Sequence, residues 1–212
     1  MTDRPLSATA LRGTFTDGAG PTPAPAGSRL ADDATIDQLA VAATSGDVEA
    51  VGRLYDALVG PIYRYVAVRV RRREDAEDLT HLVFERIVSA LPRYRHNGSP
   101  FAAWVFRIAR NAVIDHQRRT RPTEPLGAIA EAAASGQGLE ALSLREEERR
   151  ELRAAIRGLT PDQQEALALR YAAGLSAEEA ARVMGRQAGT IRGLTFRAIE
   201  TLRRRLARET EP

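Results

Sequence analysis

Cysteine is absent from the 212 residues, and so is lysine. The first absence excludes disulfides, thiolate zinc sites and cysteine nucleophiles. The second makes every Lys/Arg-type base an arginine, 31 in all. Arginine stays protonated far above neutral pH and suits phosphate and bidentate guanine contacts. Only three histidines occur, His81, His96 and His116. They are scattered without companion-ligand spacing, so neither a metal site nor a cofactor is expected. No nucleophile–base cluster stands out, and no enzymatic activity is expected. Aromatic residues make up 5% of the chain, so any core must rest on Leu, Ile, Val and Ala. No apolar run is long enough to span a bilayer, and the start of the chain lacks the short apolar core of a secretory signal. A cytoplasmic protein without membrane insertion is the expectation. The formal net charge of +3 does not by itself point to a polyanionic partner.

What is present reads as helix. Residues 1–34, with "GAGPTPAPAGS", lack periodicity and are expected to form a disordered tail. From 35 to 120 the apolar spacing is three and four throughout. Asp47 is placed to cap a helix bearing Val51, Leu54, Leu58, Ile62, Tyr65 and Val66. A second helix starts near Asp75, carries Leu79, Val83, Ile87 and Leu91, and stops at Pro92. After the polar loop "RYRHNGS", Pro100 opens a helix with Phe101, Trp104, Val105, Ile108 and Ala112 on one side, read as core. Residues 121–142, with Pro122, Pro125, Gly136 and Gly138, read as a flexible linker, and helices resume at 143–209. No strand is predicted. The expected fold is all-α: two small helical domains on a tether, free to move independently.

The stretch "GLSAEEAARVMGRQAGTIRGLTFRAIETLRR" (174–204) carries a more specific pattern. Ser176 and Glu179 have capping-box spacing, with Leu175 and Ala180 placed as a hydrophobic staple. Gly185 is suited to the left-handed residue that ends a helix. A second helix restarts near Ala188, with Ile191, Leu194, Ala198, Leu202 and Leu206 as its apolar stripe. Arg192, Phe196, Arg197, Arg203 and Arg204 occupy the other side. Two helices over a glycine turn, the second armed with arginines, match a helix-turn-helix. The competing reading is a helical hairpin with solvated arginines. Just upstream, Thr160, Pro161 and Gln163 form another strong helix start.

The front half makes the assignment specific. "REDAEDLTHLVFERIVSALPRYR" followed by "SPFAAWVFRIARNAVIDHQRR" closely resembles bacterial RNA polymerase sigma factors of the extracytoplasmic-function (ECF) type, in the sigma-70 family. "DAEDL", "F-x-x-W-x-x-x-IARN" and "D-x-x-R" stand in the family's order. "GLTPDQQEALALRYAAGLSAEEAARVMG" and "GTIRGLTFRA" resemble the same family's promoter-binding C-terminal domain. The resemblance covers nearly everything after Asp33. It implies a region 2 helical bundle and a region 4 helix-turn-helix. It also implies core RNA polymerase (largest-subunit coiled coil and flap) and promoter DNA as partners, with an anti-sigma protein as a further candidate.

Site residues follow from the resemblance. Asp75, Asp78, His81, Leu82 and Glu85 fall where the family docks on polymerase. Asp75, Asp78, Leu82, Glu85 and Ser89 also form a stripe opposite the apolar face, which fits either a basic partner or a solvated surface. Arg95, His96, Asn97, Arg107, Arg110, Asn111 and Arg118 fall where the downstream promoter element is opened and held. Arg93 and Tyr94 add guanidinium and aromatic groups in the same loop. Asn111 and Asp115 fit equally well as internal hydrogen-bonding groups. Arg192, Phe196 and Arg197 match positions that read the upstream element. The chain departs from its relatives at His81 and Leu82, where many carry Gln and then an acidic residue. It also departs at Gln187, Gly193 and Leu194. The expected function is an alternative sigma factor. The weighed alternatives are a stand-alone helix-turn-helix regulator and a degenerate, interaction-only sigma relative.

Overall fold

The computed structural model describes residues 33–96, 98–120 and 151–209, and their regular elements are all helical. The front half comprises α1 (Asp33–Thr44), α2 (Val48–Ala67), α3 (Arg73–Ala90) and α4 (Phe101–Arg119). The back half comprises α5 (151–157), α6 (Pro161–Leu167), α7 (Ala177–Met184) and α8 (Ala188–Glu209). Asn97, the expected linker at 121–142, the expected restart of helix at 143–150 and the tail up to residue 32 lie outside the described residues.

Local chemistry sets most helix ends. The Asp47 carboxylate accepts from Ala50 N at 3.1 Å and starts α2, satisfying one of the helix's orphan donors. Glu74 and Asp75 sit in the first turn of α3, where negative charge is favoured. Proline ends α3 in a 3₁₀ turn, Leu91–Arg93. Helix α4 has no side-chain cap from Pro100. Instead Asp37 of α1 accepts from Phe101 N at 2.6 Å, a cap supplied from far along the chain. The capping boxes of α6 (Thr160 with Gln163) and α7 (Ser176 with Glu179) are both complete.

The apolar stripes meet as their spacing requires. Leu54, Leu58, Ile62, Tyr65 and Val66 of α2 and Leu79, Val83 and Ile87 of α3 are all buried. Each large apolar side chain so buried contributes roughly 1.5–3 kcal/mol before chain entropy is counted. Helix α4 buries more than one face: Phe106, Ala109 and Val113 join Phe101, Val105 and Ala112 at 0–1% exposure, while Trp104 and Ile108 are only half-buried.

The wide burial of α4 has a structural cause. It packs on α1, α2 and α3 of its own half and also on α7 of the back half. Buried apolar residues from Ile36 through Ile191 form one cluster across both halves. The linker composition predicts independent movement, but the described halves are packed together. Arg64 Nε donates to Ala172 O at 3.0 Å, and Arg182 Nη1 donates to Gly98 O at 2.8 Å. Ala177, Ala180 and Ala181 of α7 are buried, and such small side chains permit close helix approach.

Candidate nucleic-acid interface

The back-half candidates sit together on α8. Helix α7 ends at Gly185 with φ +63°, a left-handed conformation that glycine adopts without a Cβ clash. Arg186 N then reaches back to Ala181 O at 2.9 Å, the doubled-back bond of a Schellman end. The turn brings α8 across α7. Ile191 and Ala198 are fully buried, and Leu194 and Leu202 are half-buried. Thr195, which the apolar stripe passes over, is also buried. Its hydroxyl donates within the helix to Ile191 O or Arg192 O, both 2.9 Å away.

Arg192, Phe196 and Arg197 all point outward, and Phe196 is 66% exposed. The side chain of Arg197 lies back over Gly193; a Cβ at Gly193 would come within 3.3 Å of Arg197 Nη1. Arg192 is ion-paired with Glu178 of α7, both ends largely exposed. Exposed pairs of this kind contribute little to stability, about 0–1 kcal/mol, so the pair holds Arg192 only weakly. Gln187 stands just before α8, and its carbonyl accepts from Thr190 N and Ile191 N.

The front-half candidates divide. Arg107, Asn111 and Arg118 are exposed on α4. Arg95 and His96 are exposed in the loop, with Arg95 Nη1 donating to Tyr94 O at 3.0 Å and Pro92 O at 3.2 Å. Asn97 lies outside the described residues. Tyr94 is not a free surface aromatic. It is only 8% exposed, with its ring 5.0 Å from both Phe101 and Trp104. The ring closes the top of the core, so stacking on an unpaired base would require it to leave. Asp115 lies 3.7 Å from Arg86 across α3 and α4, an ion pair whose two side chains are both partly exposed. Asn111 is exposed and lines a groove with Leu82, Glu85, Arg86, Ser89 and Arg93.

The polymerase-docking candidates line the same side of α3. Asp78 and Glu85 are exposed, while Asp75, His81 and Leu82 are half-buried. The Asp75 carboxylate lies 3.7 Å from His116 Nε2. Asp75, Asp78 and Leu82 border a cavity of about 170 Å³ with Arg86, Asp115, His116 and Arg119. The stripe is therefore mixed in charge along its α4 edge. Leu82 has a structural place: it packs against the core and lines the α3–α4 groove beside Ile108.

Sequence reading missed one polar cluster. Glu165 of α6 is only 4% exposed. Its carboxylate accepts from Tyr65 Oη at 2.7 Å, and lies 3.0 Å from Arg69 Nη2 and 3.6 Å from Arg110 Nε. Burial first, and the adjoining carboxylate second, push the Tyr65 phenol well above its ordinary pKa. Arg110, a downstream-element candidate, is therefore held by the other half of the molecule. The local signal was slight: a single acid in an otherwise apolar "EALAL" run.

Among the described residues, no group of acidic, histidine or cysteine side chains is placed to hold a metal, and no helix is long and apolar enough to cross a membrane.

Comparison with known proteins gives these surfaces a context. The family model for Sigma-70 region 2 matches residues 54–123, and that for Sigma-70 region 4 matches 149–202. The chain is 38% identical to the ECF RNA polymerase sigma factor BldN of Streptomyces coelicolor, over 82% of this chain and 67% of BldN. It is 36% identical to the ECF sigma factor SigC of Mycobacterium tuberculosis, over 81% of this chain and 91% of SigC. The solved structure of CnrH with the cytosolic domain of CnrY matches with a TM-score of 0.64 at 23% identity, covering 83% of this chain and 99% of the matched one. That last likeness concerns the fold. The two matched regions, in order, and the identity to full-length relatives show that the chain belongs to the ECF group of the sigma-70 family and is an alternative sigma factor directing transcription initiation.

Proposed function

We propose a division of labour between the two halves. Helix α3 meets core RNA polymerase through Asp78 and Glu85 on its exposed stripe. The loop after α3 and the outward face of α4 (Arg95, His96, Arg107, Asn111, Arg118) meet the downstream promoter element. Helix α8 reads the upstream element with Arg192, Phe196 and Arg197. Polymerase supplies the chemistry, and binding free energy from the factor supplies promoter choice. The setting is the cytoplasm, where polymerase and promoter are found. An anti-sigma protein is a further partner in this reading.

The observation that carries the reading is Phe196. A phenylalanine 66% exposed stands between two outward arginines and leaves most of its ring open to a partner. An apolar ring flanked by guanidiniums suits a thymine methyl or sugar flanked by phosphates and guanine edges. The test is promoter binding and run-off transcription with purified core polymerase. Arg192→Ala and Arg197→Ala should each weaken upstream-element binding. Loss of a base-edge contact should cost about 1–3 kcal/mol and relax preference at one position. Loss of a phosphate contact should weaken all sequences evenly and flatten the salt slope. Wild-type behaviour of both variants would move the reading surface off α8.

A further inference from the structure

Four front-half groups converge on the back half at one place. Arg69 and Arg110 direct guanidiniums at Glu165, Tyr65 directs its hydroxyl there, and Arg64 spans to Ala172 O. Tyr65 has no exposed surface and Glu165 almost none. Only the carboxylate belongs to the back half; both of these guanidiniums and the phenol belong to the front. Two guanidiniums and a hydroxyl converging from α2, the turn that follows it and α4 make a receptor for an oxyanion. The carboxylate does not saturate that receptor. The Nε of Arg69 is buried without a hydrogen-bond partner, and the Nε of Arg110 lies 3.6 Å from the carboxylate, in ion-pair contact but beyond hydrogen-bond reach. A phosphodiester, with two free oxygens and a tetrahedral spread, can reach donors that a flat carboxylate leaves unmet.

The cluster also lies beside surfaces already assigned to nucleic acid. Arg110 stands three residues after Arg107 on α4, half-buried at the inner edge of the exposed face that carries Arg107, Asn111 and Arg118. The back half touches the loop leading into α4 through Arg182 and Gly98, and α7 packs on α4 itself. A backbone reaching Arg110 and a docked back half compete for the same donor.

We propose that Tyr65, Arg69 and Arg110 form a binding site for a backbone phosphate of promoter DNA, and that Glu165 occupies this site as an internal stand-in while the two halves are docked. Separation of the halves withdraws the carboxylate and exposes the receptor. Docking and DNA binding are then linked, because each excludes the other from one set of donors. The inference rests on the α4 face being a nucleic-acid surface, but it concerns phosphate and not sequence. It can therefore be tested without polymerase or a known promoter.

The experiment uses the full chain and a single-stranded oligonucleotide of mixed sequence. Glu165→Gln keeps the shape of the side chain and removes its charge. Asp56→Asn, on the exposed face of α2, changes net charge equally at a distance and serves as the control. With no native cysteine, Ser89→Cys and Thr190→Cys accept spin labels that report the separation of the halves. The parent protein should give one narrow distance, and the Glu165→Gln protein a broader, longer distribution. Glu165→Gln should bind the oligonucleotide about tenfold more tightly at low salt. Its salt slope should steepen by about 0.7 for each phosphate newly engaged. Adding Arg69→Gln to Glu165→Gln should remove that gain while leaving the broadened distances.

Three outcomes would overturn the proposal. One is a broadened distribution with unchanged oligonucleotide affinity. Another is an affinity gain matched by Asp56→Asn. The third is a gain that survives Arg69→Gln. Failure of the polymerase reading would show separately, as an unmodified chain that neither binds core polymerase nor supports transcription.

Discussion

At the residue scale, Tyr65 links burial, charge and the contact between halves. Its phenol donates to Glu165 and is held above its usual pKa, mainly by burial. A group whose pKa is raised by folding binds its proton more tightly in the folded state. Its stabilising contribution is full below the unfolded value, near pH 10, and is lost as pH climbs from there through the raised folded value. The expected outcome is a sharp loss of stability above about pH 10 in the parent protein. Tyr65→Phe should cost about 1–3 kcal/mol at neutral pH, by leaving Glu165 short of a donor. Above pH 10 it should lose stability less steeply. Tyr55, Tyr63 and Tyr94 are also raised, chiefly by burial, but they are common to both proteins and cancel in the comparison. Urea midpoints at neutral and alkaline pH decide the matter; parallel pH slopes would remove Tyr65 from the account.

At the element scale, capping chemistry and apolar period made the helices readable. Asp47, Thr160 with Gln163, Ser176 with Glu179, and Gly185 all act in the structure where their spacing places them. These devices work within three or four residues, so the sequence displays them whole. What was not legible depends on distant chain. Asp37 caps α4 from 64 residues away. Tyr94 is drawn into the core by Phe101 and Trp104. Helix α4 shows more apolar surface than one face needs because it is covered from both halves. The local devices have measurable weight. Ser176→Ala should cost about 1 kcal/mol through loss of the cap to Glu179 N. Gly185→Ala should cost about 1–2 kcal/mol from its left-handed backbone alone, since an added Cβ there meets nothing within 4 Å. Both should lower the urea midpoint with no change in slope. A neutral Gly185→Ala would mean that the turn relaxes out of the left-handed region.

At the scale of the whole molecule, the candidate surfaces divide by whether the packed arrangement leaves them open. The outer face of α8 and the Asp78–Glu85 edge of α3 are exposed as the chain stands. Arg110 is engaged by Glu165, and the loop before α4 is touched by Arg182. The sequence announced the open surfaces, because a helix's polar stripe is visible in its own spacing. It did not announce the engaged ones, because Glu165 and Arg110 stand 55 residues apart on either side of the linker. On the proposed assignment the asymmetry gives an order of events: polymerase is met before the two halves part, whereas engagement of Arg110 requires them to part. Reversing Asp78 and Glu85 to arginine tests the first step. Both are exposed, and such changes usually move stability by less than about 0.5 kcal/mol. Two reversed charges facing a basic partner should nonetheless weaken association strongly at low salt and progressively less as salt is raised. The measurement is a titration of labelled chain with core polymerase at two ionic strengths, with thermal unfolding as the check on folding. Unchanged affinity at low salt would remove this edge from the polymerase interface, and the order of events would then have no open surface on α3 from which to begin.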